Sequence, residues 1–284
     1  MIIVELNGGL GNQLFQYASA KSLALHCRTT LKLDTRFFTA AGKSHDLVYF
    51  HIDDPNATED EIISFEKRSI VRKLAERLKP NHTRIIYRET DYTFDDNFFK
   101  ASCSVYLKGL RQSEKYFLAF ASDIKKLLQV RQEYVKHLSS IKDEITNCNS
   151  VSIHIRRGDY LTKVALEVLG LQPLAYYENA IQQIAAQVTD PVCYIFSDDI
   201  DWAKENLKIG YPHHYASGYL SRNTIEDFYL MSQCKHDILA NSTFSWWGAW
   251  LSTHAEKTVI APARWFDDPE SDYRDVIPAE WHRI

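Results

Sequence analysis

The sequence predicts an α/β protein built on parallel sheets, and three observations carry that prediction. The chain opens as strand, glycine-rich turn and helix, with Met1-Ile2-Ile3-Val4-Glu5-Leu6 running into Asn7-Gly8-Gly9-Leu10-Gly11-Asn12. From about residue 149 onward, short apolar strands alternate with single amphipathic helices. That alternation implies a parallel sheet covered on both faces. Three successive strands of this half end in polar clusters, at the carboxyl ends where open α/β sheets bind ligands. Two such halves facing each other would enclose a cleft.

Each element has its own signal. Residues 1–6 read as a strand, and a helix over about 13–27 follows, with Leu14, Ala18 and Leu25 on one face. A strand over 30–34 comes next. Residues 40–100 are polar and irregular, with a basic helix over about 62–79 stopped by Pro80. Strands near 85–89 and 104–110 precede a long helical stretch over about 113–145. Asn147-Cys148-Asn149-Ser150 marks the domain boundary, dividing 1–148 from 149–284. A strand over 151–156 leads to a helix opening at Pro173, whose Leu174, Tyr177, Ile181, Ile184 and Val188 repeat at helical spacing. The strand over 192–197 is followed by a short helix near 200–207. Thr224-Ile225-Glu226-Asp227 resembles a capping box and opens a helix to about Cys234. A strand over 237–240, a helix over 244–252 and a strand over 258–260 complete the set.

Composition narrows the function. A chain of 284 residues with 45% apolar and 13% aromatic content can fill one large or two medium cores. A formal charge of −4 and a pI near 6.3 provide no basic field, which argues against general nucleic-acid binding. The five cysteines are odd in number, scattered and without C-x-x-C spacing. That pattern argues against a disulfide framework or a zinc site and favours a reducing compartment. The N-terminus reads as a strand rather than a signal peptide, and no apolar run approaches the roughly 18 residues of a membrane span. Sequons at Asn56, Asn81 and Asn241 then read as chance matches.

The chemistry concentrates at the three strand ends. Val151-Ser152-Ile153-His154-Ile155-Arg156-Arg157-Gly158-Asp159-Tyr160 leaves an imidazole and two guanidiniums where the strand breaks. Paired arginines suit a diphosphate, since each guanidinium is a permanently charged fork of donors. Strict alternation sends His154 and Arg156 to one side and Arg157 to the other. The competing reading is a salt-bridged strand end facing solvent. Asp159 is either a general base or a cap for the following turn. The second strand ends in Ser197-Asp198-Asp199, where Asp198 or Asp199 could accept two N–H donors from a guanine edge. Asp199-Ile200-Asp201 also spells D-x-D, a metal-holding pattern in other sugar transferases, although the arginine pair would neutralise the same charge. A third reading makes Asp199 a helix N-cap before Trp202. The third strand ends in Asn241-Ser242-Thr243-Phe244-Ser245, whose hydroxyls and amides precede a helix and so form an anion site. Trp246, Trp247 and Trp250 read as core residues, and His213-His214 as structural or exposed.

The first turn invites a dinucleotide reading, because Gly9 and Gly11 match two glycines of G-x-G-x-x-G. Position 14 is Leu, however, which disfavours a nicotinamide site. Close approach of the turn to a ligand, with polar contacts from Asn12 and Gln13, is the better reading, and a plain tight turn is the other alternative.

These motifs together closely resemble the bacterial and animal α-1,2-fucosyltransferases, glycosyltransferase family 11. The likeness covers nearly the whole chain, through Gly8-Gly9-Leu10-Gly11-Asn12-Gln13, His154 to Tyr160, Phe196-Ser197-Asp198-Asp199 and Asn241 to Trp250. It implies a GT-B fold of two facing Rossmann-like domains with a cleft between them. Residues 1–148 would form the acceptor-side domain and 149–284 the domain that binds GDP-β-L-fucose. It also implies an inverting transfer without metal or cofactor, to O2 of a β-galactoside on an oligosaccharide such as an O-antigen. Carried over by position, Arg156 contacts the β-phosphate, and Asp198 or its neighbour reads guanine. Ser242, Thr243 and Phe244 hold phosphates, while Gly11 and Asn12 face the fucose. The transmembrane anchor of the animal Golgi enzymes is missing here. The resemblance therefore points to a cytoplasmic bacterial enzyme, loosely associated with a membrane that carries its acceptor.

In the expected reaction the acceptor hydroxyl attacks the anomeric carbon and GDP leaves. Arg156, the helix N-terminus at Ser242 to Ser245, and His154 supply positive charge and oriented donors to the leaving group. Asp159 or water takes the proton. A catalytically inactive sugar-binding relative and a nicotinamide-dependent oxidoreductase are the rival classes.

Overall fold

The computed structural model describes residues 1–67, 69, 75, 76, 78–89 and 91–284. The chain forms two compact units, Met1–Gln129 with Asp272–Val276, and Val130–Ser271 with Ile277–Ile284.

The first unit is built on a parallel sheet of β1 (Ile2–Glu5), β2 (Leu31–Asp34), β3 (Ile86–Arg88) and β4 (Val105–Lys108), in the order β2-β1-β4-β3. Ile2, Ile3 and Val4 are wholly buried, as a strand covered on both faces requires. Helix α1 (Leu10–Cys27) starts three residues earlier than its periodicity predicts, because Gly9 is an extended N-cap. Gly11 and Asn12 therefore lie in the first helical turn rather than in the loop. It ends on Arg28 in the left-handed region, φ 52°, whose N–H closes onto Ala24 and Leu25 carbonyls. Helix α2 (Glu59–Glu66) is opened by a complete Thr58/Glu61 capping box. The predicted basic helix over 62–79 otherwise falls largely outside the described residues.

The cysteines depart from the expectation that none is bridged. Cys27 and Cys103 form a disulfide across a sequence separation of 76 residues, with a Cα–Cα distance of 5.5 Å. The end of α1 and the start of β4 meet at the same sheet edge, a proximity that cysteine spacing does not reveal. Cys148, Cys193 and Cys234 are free.

The second unit carries a six-stranded parallel sheet in the order β10-β9-β8-β5-β6-β7. Its strands are β5 (Asn149–Ile155), β6 (Pro191–Ser197), β7 (His213–Tyr215), β8 (His236–Ile238), β9 (Val259–Ala261) and β10 (His282–Arg283). From β5 the chain winds outward through β6 and β7, then returns to the other side of β5 for β8, β9 and β10. That is the doubly wound Rossmann order, with its switch point between β5 and β8. Helices α3 (Ser139–Asn147), α4 (Leu174–Ala185), α5 (Ile200–Asn206), α6 (Thr224–Gln233) and α7 (Thr243–Leu251) belong to this unit. Tyr177, Ile181 and Ile184 of α4 join Val151, Ile153 and Ile155 of β5 in the core. Trp246, Trp247 and Trp250 are buried, as expected of a core-facing helix.

The break between compact units falls at Gln129/Val130 rather than at 148/149. Helix α3 packs on α6 and feeds β5, and His137 lies 3.2 Å from Glu226, so this segment joins the second unit. The stretch over 113–145 is not one helix but several short pieces. Its buried residues Tyr116, Phe117, Ile124, Leu128, Val135, Leu138 and Ile145 keep helical spacing with only Val130 off the stripe, so periodicity does not reveal the breaks between the pieces. The cap of α6 sits one residue before the predicted Thr224: Asn223 accepts from the Glu226 N–H, and Glu226 accepts from the Arg222 N–H.

Candidate active site

The switch point of the second sheet assembles the three predicted strand ends. β5 stops at Ile155, so Arg156, Arg157 and Gly158 lie on the loop beyond it. Period-two alternation therefore no longer decides where their side chains go. Arg156 is braced by two carboxylates, its Nη2 2.8 Å from Asp159 Oδ1 and its Nη1 3.0 Å from Asp198 Oδ2. Asp198 also accepts from the Arg157 backbone N–H at 2.9 Å. A Cβ on Gly158 would stand 2.8 Å from Asp198 Oδ2, so a side chain there would have to displace that carboxylate.

Arg157 takes a separate course. Its guanidinium lies over the Trp202 ring at 3.6 Å, and its Nε is 3.2 Å from Asp199 Oδ2. Asp199 caps α5, accepting from the Trp202 N–H at 3.4 Å. Asp199 thus fills the capping role that one of its readings gave it and also pairs with the Arg157 cation. Asp201 is 84% exposed and lies 3.8 Å from Lys204. Among the described residues no group of three or more His, Cys, Asp and Glu side chains is placed to hold a metal ion.

His154 is buried at the end of β5, its ring 5.4 Å from that of Phe244. Burial, with Arg156 nearby, pushes its imidazole down to about 3. The ring is therefore neutral at physiological pH and supplies a dipole rather than the positive charge expected of it. Its Nδ1 has no hydrogen-bond partner among the described residues.

The third strand end leads into α7. Ser242 is its N-cap, accepting from the Phe244 N–H at 3.4 Å, so the first amides of α7 sit at the carboxyl edge of the sheet. Ser245 is wholly buried and donates back to the carbonyls of Ala240 and Ser242. That hydroxyl is committed to its own helix, unlike the exposed donor the sequence implied. Thr243 and Phe244 are half-buried at the helix start.

Sequence reasoning assigned no role to Asn241, yet it ties the site together. Its Nδ2 donates to the Leu169, Gly170 and Trp265 carbonyls at 2.6, 3.4 and 3.2 Å, and its own carbonyl accepts from Tyr160 at 2.9 Å. The motif around it was the signal. Nothing in the sequence pointed to Trp202 as the platform for Arg157.

In the first unit, Asn12 Oδ1 accepts from Gln112 Nε2 at 3.0 Å. Gln13 is wholly buried and bonds the Gly8 carbonyl and both the amide and carboxylate of Asp46. It braces the turn and does not offer the ligand contact expected of it. Gly11 is buried in the first turn of α1.

The family model of glycosyl transferase family 11 matches residues 1–284. An Escherichia coli alpha-1,2-colitosyltransferase is 34% identical, covering 100% of this chain and 99% of the relative. The E. coli O-antigen biosynthesis glycosyltransferase WbnK is 32% identical, over 92% of this chain and 93% of its own length. The mouse galactoside 2-alpha-L-fucosyltransferase Sec1 is 25% identical, over 99% and 71%. Among solved structures, the alpha-1,6-fucosyltransferase NodZ soaked with GDP-fucose aligns with TM-score 0.52 and 16% identity, covering 88% of this chain and 91% of NodZ. An Arabidopsis thaliana FUT1 mutant in complex with GDP aligns with TM-score 0.55 and 13% identity, over 91% and 69%. These likenesses bear on the fold, which is of the GT-B type. The chain belongs to glycosyltransferase family 11.

Proposed function

We propose that this glycosyltransferase moves L-fucose from GDP-β-L-fucose to O2 of a β-galactoside, with inversion and without a metal. The observation that carries the reading is the doubly braced Arg156 at the β5/β8 switch point, beside the N-terminus of α7. A diphosphate there would meet a guanidinium fork and oriented helix amides, which stabilise charge growing on the leaving group. Arg156 would hold the β-phosphate, with Ser242, Thr243 and Phe244 presenting the helix start and Arg157 adding charge. Asp198 or Asp199 would read guanine, and neutral His154 would line the site. Gly11 and Asn12 would contact the donor sugar, with the first unit serving the acceptor and the second the donor.

Asp159 fits the general-base role through its pairing with Arg156. A diphosphate that takes the guanidinium releases that carboxylate, so donor binding would arm the base. The setting we propose is cytoplasmic, with an oligosaccharide acceptor of the O-antigen kind and peripheral membrane association. No helix among the described residues is long and apolar enough to cross a membrane. A second donor is favoured by the 34% identity to a colitosyltransferase: colitose is fucose without its 3-hydroxyl.

The test is turnover with GDP-fucose and GDP-colitose over a panel of β-galactosides, with and without EDTA, and the product linkage determined by NMR. An α-1,2 product formed equally in chelator is expected. Transfer from neither donor, or loss in EDTA restored by manganese, would overturn the reading. Faster turnover of GDP-colitose would reassign the donor alone.

A further inference from the structure

The carboxyl edge of the first sheet holds a second polar recess. It has a volume of about 240 Å³ and is lined by Asn81, Tyr87, Glu89, Asp91, Thr93, Asp95 and Tyr116. Glu89 follows the last residue of β3, and Gly109 follows the last residue of the adjacent β4. The recess therefore opens where parallel strands of an α/β sheet present ligand sites.

The backbone is built around the Glu89 carboxylate. Gly109 has φ +110°, and a Cβ there would fall 2.6 Å from Glu89 Cβ, so only glycine lets the two strand ends close. Glu89 Oε2 accepts from the Leu110 N–H at 2.6 Å. Its Oε1 is buried and has no hydrogen-bond partner among the described residues. Burial raises the Glu89 acid above its ordinary value, opposed by the Arg111 guanidinium. Arg111 is itself wholly buried, its Nε bonded to Ser19 Oγ at 2.8 Å while Nη1 and Nη2 lack partners among the described residues. Its charge is felt at Tyr87, Tyr116 and Glu89, three of the lining residues.

The remaining wall is held by hydrogen bonds and ring contacts. Tyr87 donates to Asp95 Oδ2 at 2.8 Å; Tyr116 accepts from the Asp95 N–H and donates to the Thr93 carbonyl, both at 3.1 Å. Tyr116 packs edge-on against Phe94 and Phe98, each with centroids 4.8 Å away. A buried carboxylate oxygen without a partner is costly, and a ligand hydroxyl that donates to it relieves that cost. Three acids and no lining cation repel an anionic ligand. The volume lies below the roughly 300–1,000 Å³ of drug-sized pockets, which suits one ring rather than a chain of them.

We propose that this recess is a carbohydrate subsite that takes one neutral or amino-bearing pyranose ring, with a ring hydroxyl donating to Glu89. The inference rests on the proposed function only in taking the acceptor to be a glycan. Binding of methyl glycosides of galactose, glucose, N-acetylgalactosamine, galactosamine and galacturonic acid to the full chain, followed by saturation-transfer NMR without nucleotide, tests it. At least one neutral or amino sugar should bind, and galacturonate should not. Glu89→Gln, which keeps the shape, should weaken that binding at least tenfold and leave GDP affinity unchanged. Asp91→Lys, at the exposed rim, should weaken galactosamine more than a neutral glycoside, which keeps the test open if the Glu89 variant misfolds. No sugar binding at millimolar concentration, tighter binding of galacturonate, or full affinity in folded Glu89→Gln would overturn the proposal. GDP binding is read separately, so failure of the donor assignment shows as lost GDP affinity and failure of the subsite does not.

Discussion

At the residue scale the site is a set of charges that hold each other in place. The strand end, the two arginines and the acids beyond the second strand are legible in sequence, because an apolar run broken by glycine exposes whatever polar residues follow it. Their pairing is not legible, because past Ile155 the loop conformation replaces strand alternation, and it is the loop that sets Arg156 against Asp159 and Asp198. If Arg156 stabilises the leaving group, Arg156→Ala should lower kcat by about 10²–10³, the loss of one preorganised donor, with a smaller effect on GDP affinity. Arg156→Lys should recover only part of it, since a point charge cannot reproduce the fork. Steady-state kinetics beside GDP calorimetry check this, and near-full kcat in a folded Arg156→Ala protein would mean the leaving group sits elsewhere. A second residue prediction concerns stability. Asp237 on β8 is wholly buried, accepts from Ser152 Oγ, and has its acid pushed up to about 7 by burial. The folded state therefore holds a proton that the unfolded chain has released above pH 4. Its contribution is full below that pH and is lost as pH rises through about 7. Asp237→Asn, a mimic of the neutral acid, should flatten the fall of Tm between pH 4 and 8 in thermal scans. An unchanged pH slope would show that the carboxylate is tolerated as an anion.

At the element scale the regular pieces were readable and the junctions were not. The helix at Leu174–Ala185 announces itself by one apolar face, and the parallel strands by continuous apolar runs. The stretch after Ser113 misled because its buried positions keep helical spacing across the breaks between several short pieces. The capping of α6 slipped by one residue because Asn223 and Thr224 both make good caps, and here Asn223 takes the Glu226 N–H. The loop after β5 is the junction that matters most, and it turns on Gly158. Gly158→Ala should push the Asp198 carboxylate away from Arg156 and the Arg157 N–H. The expected result is a tenfold or greater fall in kcat/KM with Tm lowered by only a few degrees, because the loop is partly exposed. Adding Asp198→Ala removes the clashing group, so the two effects should be strongly non-additive. Simple addition of the two losses in a double-mutant cycle would show that the glycine serves the backbone alone.

At the scale of the whole molecule, both sheets are parallel, and the polar strand ends of the second sheet lie at its carboxyl edge as the alternation of strands and helices foretold. The polar recess at the carboxyl edge of the first was not legible. The division at Gln129/Val130 was not foretold, since a polar Asn-Cys-Asn-Ser run looks like a linker whether or not the helices before it pack onto the second sheet. The disulfide was equally hidden, because it depends on two ends 76 residues apart meeting at one edge. That edge is the amino-terminal one: Cys27 ends α1, which runs back from the carboxyl edge, and Cys103 lies just before β4. The bond is therefore remote from the carboxyl edge, where the start of α1 with Gly11 and Asn12 and the residue after β3, Glu89, lie. Closing a loop of this length stabilises a fold by about 2–4 kcal/mol. Reduction should consequently lower the denaturant midpoint of the chain while leaving turnover at 25 °C unchanged, a combination compatible with work in a reducing cytoplasm. Cys103→Ser should show the reduced midpoint with or without dithiothreitol. Thiol titration of the unfolded chain should count three groups when oxidised and five after reduction. If activity instead disappears on reduction while circular dichroism stays native, the bond shapes the binding edge at a distance, and the cytoplasmic setting must be given up.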